Sequence, residues 1–264
     1  MLDVQNAVKT FEKGTPIEHT ALKDLSLHLD AGEFITILGS NGAGKTTLFN
    51  AICGSFFLDS GTICLGGKDI THMPEHRRSI DIGRVFQDPM KGTAPNMTIE
   101  ENLSLAHSRT TAKPLSFAPS RREVSLFRDR IAEFHMGLEN RMKTKVGLLS
   151  GGQRQAVTLL MCTIVPPKLL LLDEHTAALD PATAEKVMEI TKSTVEAYHL
   201  TTMMITHNMT QALETGTRTI MMDEGNILLD LSGEKRANIT KEELLSLYSQ
   251  SKNQAFDNDR MLLS

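Results

Sequence analysis

The chain has 264 residues, 40% hydrophobic and 23% charged, with a formal net charge of −4. That length holds one large domain or two modest ones, at about 100–200 residues each, and the composition is one that buries a core. The acidic balance argues against a protein that grips polyanions through bulk positive charge, and with no Trp and only Tyr198 and Tyr248, stacking platforms for single strands are poorly supplied. No nucleic-acid partner is expected.

Three cysteines, Cys53, Cys64 and Cys162, form an odd, scattered set with no C-x-x-C pair. They suggest neither a disulfide framework nor a zinc site, and read as reduced thiols of a cytosolic protein. The opening stretch MLDVQNAVKT has no apolar core of a secretory signal. The longest apolar stretch, Leu159–Leu172, is cut by Pro166, Pro167 and Lys168. No run reaches the roughly 18 apolar residues of a spanning helix, so the chain is expected not to cross a membrane by itself.

In chain order, Phe34–Leu38 is a β-rich run that breaks at Gly39, and after a glycine-rich turn Lys45–Ile52 reads as a helix. Thr62–Leu65 and Ile80–Phe86 are further strand candidates. The stretch 88–148 differs in kind. Thr98-Ile-Glu-Glu101 is a capping box opening a short helix, and 108–120 reads as a loop. Val124, Phe127, Ile131 and Phe134 repeat at three and four, a helical stripe within Glu123–Phe134. This block is expected to be a small helical insertion. Arg154–Met161 reads as helix, and Leu169–Leu172, behind a proline pair, as a parallel strand buried on both faces. Asp180 and Pro181 open a helix that runs to about Tyr198. Thr201–Thr206, Thr219–Met222 and Ile227–Asp230 are strands, the last two flanking a turn at 223–226. Thr240-Lys-Glu-Glu243 is another capping box, before Leu244, Leu245 and Leu247, and the polar end from Ser251 is expected to fray. Strands alternating with helices give an α/β fold with a largely parallel core.

The chemistry begins at Gly39-Ser40-Asn41-Gly42-Ala43-Gly44-Lys45-Thr46, which fits G-x-x-x-x-G-K-[ST] in the required strand–turn–helix frame. Glycines let the backbone curl so that successive N–H groups point at phosphate oxygens, and the helix adds its positive end. Lys45 supplies a point charge for the β- and γ-phosphates, and the Thr46 hydroxyl is a Mg²⁺ ligand. Leu169–Leu172 delivers two carboxylates, Asp173 and Glu174, at the end of a buried strand, where ligands of such sheets collect. Beside a phosphate loop, Asp173 is the metal carboxylate and Glu174 the general base for an attacking water. Leu149-Ser150-Gly151-Gly152-Gln153 reads in two ways: a second anion-binding helix N-terminus, or an ordinary glycine-rich loop ahead of a helix.

Taken together, these segments resemble the ATP-binding subunit of ABC transporters, over roughly residues 2–250. The family's elements stand in order: the phosphate loop, Gln87 in Val-Phe-Gln-Asp, the signature LSGGQ at Leu149–Gln153, Asp173-Glu174, the loop Ala178-Leu179-Asp180, and His207 in Ile-Thr-His-Asn. The resemblance implies a P-loop NTPase core with a mainly parallel sheet, an antiparallel β subdomain and a small inserted α-helical subdomain. It implies a division at 1–87, 88–149, 150–232 and 233–264. It also implies ATP and Mg²⁺ as cofactors, with Thr46, Gln87 and Asp173 on the metal and Lys45, Gln87, Glu174 and His207 in catalysis. Ser40 through Thr47 would contact the nucleotide, Phe11, standing where the family usually has an aromatic residue, would stack on adenine through its ring face, and Asp180 would communicate across a dimer. Ser150, Gly151, Gly152 and Gln153 would face the γ-phosphate held by a second copy, so that ATP joins two subunits.

One nucleotide-binding domain argues against the family's twin-domain translation factors, about 60 residues between Gln87 and Leu149 are too few for the long coiled coil of its DNA-repair members, and the lack of a fused membrane domain is the usual arrangement of bacterial importers. Gly83–Met97 and Leu231–Arg236 are similar to a subgroup linked to binding-protein-dependent uptake of amino acids, including tryptophan or tyrosine. The implied partners are a second copy, an integral membrane permease met by residues about 88–105, and indirectly a substrate-binding protein. The implied place is the cytoplasmic face of the membrane. A competing reading is a soluble ABC ATPase without a permease, such as an iron–sulfur assembly subunit. A third, a binding subunit without turnover, is opposed by intact Lys45, Asp173, Glu174 and His207.

Overall fold

The computed structural model describes the backbone of residues 1–110 and 119–262, and the side chains of 1–109 and 119–252. The loop expected at 108–120 therefore lies largely outside the described residues. The chain divides into two units, Met1–Arg78 with Thr201–Ser264, and Ser79–Leu200.

The first unit begins with β1 (Leu2–Phe11), β2 (His19–Leu29), β3 (Phe34–Gly39), α1 (Lys45–Cys53), β4 (Ser60–Leu65), β5 (Lys68–Asp69) and α2 (Glu75–Arg78). Strands β2, β1, β4 and β5 form an antiparallel sheet in that order. Leu25, Leu27 and Leu29 alternate inward along β2, the period of a half-buried strand. β1 keeps no such period, because its register shifts between Val4 and Ala7, where Asn6 takes φ 50°. The second unit holds β6 (Ile82–Val85), α3 (Ile99–His107), α4 (Arg121–Ala132), α5 (Gly151–Thr163), β7 (Leu169–Asp173) and α6 (Pro181–Tyr198). β6 and β7 run parallel, with Val85 opposite Leu172, and every residue of β7 is buried. Thr98 and Ser120 cap α3 and α4 with complete capping boxes, and α4 buries Phe127 and Ile131. The chain then returns to the first unit with β8 (Thr201–Ile205), α7 (Met209–Glu214), β9 (Arg218–Asp223), β10 (Asn226–Ser232), α8 (Gly233–Ala237) and α9 (Lys241–Leu262). β3 lies between β8 and β9, parallel to both. β10 returns antiparallel to β9 through a two-residue turn, Glu224 and Gly225, both at positive φ. The parallel core, antiparallel sheet and inserted helices are thus the expected fold class.

Two expectations need correction. α5 starts at Gly151 rather than Arg154, because Ser150 and Gln153 form a capping box that pulls the glycines into the first turn. The segment after Ser251 continues as helix to Leu262. Its polar residues include no Gly or Pro, so nothing there breaks a helix.

The far end of α1 rests on a buried arginine. Arg78 is 1% exposed. Its guanidinium donates to the carbonyls of Ala51 and Ile52 in the last turn of α1, at 2.8 and 2.9 Å, and to those of Thr71 and Met73, at 2.9 and 2.7 Å. Cationic donors suit carbonyls at a helix C-terminus, which carry the negative end of the dipole. Gly54 follows α1 at φ 81°, and a Cβ there would lie 2.7 Å from the Arg78 Nε. Replacing Arg78 by Met removes the side-chain donor from all four carbonyls, of which that of Ala51 keeps the Gly54 N–H, and is expected to cost about 3 kcal/mol in urea unfolding. An unchanged unfolding midpoint would contradict the assignment.

Candidate functional site

Two groups of side chains carry the expected chemistry, one in each unit. In the first unit the phosphate loop leaves β3 at Gly39. A Cβ on Gly39 would lie 2.2 Å from the Met222 carbonyl oxygen, and one on Gly44 would lie 2.5 Å from that of Ala21. Only glycine fits at either place. Gly44 occupies the N-cap of α1 at φ 96°, and no side chain caps the helix there. The first-turn N–H groups of α1 are thereby presented to the loop, the arrangement that binds anions. Lys45 is buried and folds back over the loop, donating from Nζ to the carbonyls of Gly39 at 2.7 Å and Ser40 at 2.8 Å. Ser40, Asn41, Gly42 and Thr46 are exposed, Thr47 is half-buried, and Ala43 is buried.

His207 leaves the neighbouring strand at the same end. Ile37 of β3 stands opposite Ile205 of β8, so Gly39 and His207 each lie two residues past that pair. His207 is exposed in a tight turn. Thr206 Oγ1 accepts from the Asn208 N–H at 3.1 Å, and Asn208 caps α7 through the Gln211 N–H at 3.1 Å. Phe11 ends β1, 37% exposed, with its ring edge-on to Phe56 at 5.3 Å.

In the second unit, Val85 opposite Leu172 places Gln87 and Glu174 equally far past the paired ends of β6 and β7. Gln87 is exposed. Asp173 is 8% exposed and accepts a hydrogen bond from Arg84 Nη2 at 2.7 Å. The Arg84 guanidinium lies 4.7 Å from the Phe86 ring centre, which fixes it over β6. Glu174 takes φ 48°, a left-handed turn that a non-glycine residue adopts at some cost. Directly behind it, His175 is buried, and Thr191 of α6 holds it. The Thr191 hydroxyl donates to the Val187 carbonyl at 2.8 Å, so His175 Nε2 carries the proton and donates to Thr191 Oγ1 at 3.1 Å.

The signature segment sits at the start of α5. Ser150 Oγ accepts from the Gln153 N–H, and Gln153 Oε1 accepts from the Ser150 N–H, both at 3.3 Å. A Cβ on Gly152 would stand 2.1 Å from Thr183 Cγ2 of α6, and one on Gly151 would stand 3.1 Å from Leu179 Cδ2. The close approach for which Gly152 is needed is therefore one between helices of the same unit. Gln155, one turn on, donates to the Phe86 carbonyl at 3.0 Å, joining α5 to the strand end that presents Gln87. Asp180 caps α6 by accepting from the Thr183 N–H at 3.1 Å. The hydrogen bonds from Thr183 hold the Asp180 carboxyl below the usual range. Arg84, Gln155 and His175 escaped sequence reasoning. Each acts through a partner on another element, and no short-range pattern marks it.

The family described as ABC transporter matches residues 22–177. A tyrosine transport ATP-binding protein of Clostridioides difficile is 41% identical over 249 residues, covering 94% of this chain and 98% of that one. A thiamine import ATP-binding protein, ThiQ of Salmonella paratyphi A, is 35% identical over 76% of this chain and 81% of its own. Among solved structures, a dimeric ATP-binding cassette, MJ0796, bound to ADP and phosphate matches with a TM-score of 0.76 at 26% identity, covering 88% of this chain and 98% of that one. CbiO1 of Clostridium perfringens, part of an ABC transporter complex, matches with a TM-score of 0.75 at 26% identity, covering 93% and 92%.

The buried histidine has a pH consequence. Burial pushes the His175 pKa down from 6.5 to about 4. Between those values the unfolded chain binds a proton that the folded chain does not, so stability is complete above pH 6.5 and declines as pH falls toward 4. The loss across that window is expected to reach about 3 kcal/mol. His175→Gln keeps a donor to Thr191 without the titration. Its unfolding free energy is expected to vary less over the same pH range, and an equal slope would count against this account.

Proposed function

Since the chain belongs to the ABC transporter family as an ATP-hydrolysing cassette, we propose that it powers a membrane permease importing an aromatic amino acid of the tyrosine class. The observation that carries this reading is the likeness to the tyrosine transport ATP-binding protein, which runs almost end to end through both chains. An iron(III) import relative and the thiamine import relative match at 36% and 35% identity, over 78% and 76% of this chain. Among the described residues no helix is long and apolar enough to cross a membrane, so on this reading the chain works against a separate permease.

In the proposed cycle, the N–H groups from Ser40 to Thr47 surround the phosphates, Lys45 reaches the β- and γ-phosphates, and Phe11 stacks on the adenine. Thr46, Gln87 and Asp173 offer a hydroxyl, an amide and a carboxylate oxygen, an all-oxygen set suited to Mg²⁺. The ion, bound with the triphosphate, would neutralise phosphate charge. Arg84 keeps one Asp173 oxygen engaged and so orients the carboxylate. Glu174 takes the proton of the attacking water, and His207 donates to the γ-phosphate. Ser150, Gly151, Gly152 and Gln153 of a second copy close over that phosphate, so ATP favours the closed pair and hydrolysis releases it. Asp180 lies near the junction of the copies, and residues 88–105 of the inserted subdomain meet the permease. A substrate-binding protein delivers the amino acid from the other side, and the cassette stays on the cytoplasmic face.

Uptake of radiolabelled tyrosine by cells lacking this chain tests the assignment. Wild-type chain is expected to restore uptake, and Glu174→Gln is not. Undiminished uptake without the chain, or purification with a soluble scaffold instead of a permease, would contradict it. Glu174→Gln is further expected to bind ATP, to lose about 100-fold or more in turnover, and to elute as an ATP-dependent dimer. Wild-type turnover would remove Glu174 as the base. Ser150→Arg is expected to abolish that dimer while the monomer's ATP affinity stays within about twofold, because the signature serves the other copy's nucleotide. A large affinity loss in the monomer would refute that role.

A further inference from the structure

The phosphate loop leans on a turn that its own chemistry does not use. The β9–β10 hairpin meets it at successive points. Ser40 Oγ donates to Asp223 Oδ1 at 2.8 Å, and the Gly225 N–H donates to the Ala43 carbonyl at 3.1 Å. A Cβ on Gly44 would lie 3.4 Å from the Gly225 Cα. Asp223 is 5% exposed. A buried carboxylate against a loop that receives a polyanion has the wrong sign for the task, and its charge must be answered by another.

The answer comes from α9. Lys252 Nζ lies 2.8 Å from Asp223 Oδ2. Burial alone would push the Asp223 carboxyl up, but hydrogen bonds from Lys252 and Ser40, with the Lys252 charge, hold it below the usual range. α9 is seated firmly enough to hold this lysine in place. Leu244 is fully buried in a cluster with Leu38, Ala212 and Met221, and Tyr248 packs against the same cluster. Leu244, Tyr248 and Lys252 recur every four residues and share one face of the helix. Burial and the Asp223 charge raise the Tyr248 hydroxyl above its ordinary value, which places the phenol in the field of the same carboxylate. The stripe thus runs from beneath Leu38, the residue before the loop's first glycine, up to the turn behind Ser40.

We propose that Asp223 is a positioning residue for the phosphate loop, and that α9, by neutralising it through Lys252, sets the loop's affinity for ATP. This rests on the reading of Gly39–Thr46 as the nucleotide cradle. With Lys252 in place, Asp223 orients Ser40 and adds no net repulsion. With Lys252 withdrawn, the carboxylate stands uncompensated beside the phosphates. The C-terminal helix is then a handle, and any partner that displaces it weakens nucleotide binding.

Equilibrium binding of a fluorescent ATP analogue to the full chain tests this, with melting temperatures recorded for each variant. Lys252→Met is expected to weaken binding about five- to tenfold at low salt, and less as salt is raised. Lys252→Arg is expected to keep wild-type affinity. Adding Asp223→Asn to Lys252→Met is expected to recover affinity to within about twofold of wild type, because the stranded charge is gone. A merely structural contact would lose more with each substitution. Lys45→Ala supplies the control and is expected to lose binding. Wild-type affinity in Lys252→Met, or a double variant weaker than the single one, overturns the inference while the cradle reading stands. Wild-type affinity in Lys45→Ala overturns the cradle reading and the inference with it.

Discussion

A short row of backbone N–H groups at the start of α1 is the feature on which the rest depends. These donors face the loop because Gly44, in the left-handed region, holds the N-cap and no side chain caps the helix. A Cβ at Gly44 would collide with the Ala21 carbonyl, and one at Gly39 with that of Met222. The backbone therefore makes the site, and the surrounding strands forbid the side chains that would fill it. Lys45 adds the only charge in the loop sequence Gly39–Thr46.

The helix that carries those donors is braced at both ends by charged groups buried in the fold. Arg78 holds the last-turn carbonyls of Ala51 and Ile52, and Asp223 holds Ser40 near the first turn. Each brace is costly alone. A buried guanidinium needs acceptors and a buried carboxylate needs donors, and here the acceptors are carbonyls and the donors a serine and a lysine. The second unit repeats the device, where Arg84 engages Asp173 and Gln155 fastens α5 to the strand end before Gln87. In both units a strand end that carries candidate site residues is held by polar groups from distant parts of the chain.

That pattern explains what could be read from the sequence. The phosphate loop, the capping boxes at Thr98 and Thr240, and the Asp180-Pro181 helix start are local signals, and each lies where its residues predict. Leu169–Leu172 reads as a doubly buried strand because its apolar run has no polar side. β1 gives no such signal, since the register shifts after Val4 break its alternation. The glycines of the signature read either as a helix N-terminus or as a loop ahead of one, and a reciprocal Ser150–Gln153 pair winds them into α5, where Gly152 is small because Thr183 is close. Arg78, Arg84, His175 and Asp223 were beyond reach. Their partners lie elsewhere in the chain, and a single charged residue in sequence does not reveal whether it is buried.

The claim that the backbone at the start of α1 holds the triphosphate is tested most directly by amide hydrogen exchange over residues 39–50, with and without ATP. Strong added protection across Gly42–Thr47 on ATP binding, absent with adenosine, is the predicted result. Exchange that stays the same in this segment while ATP is bound would contradict the account.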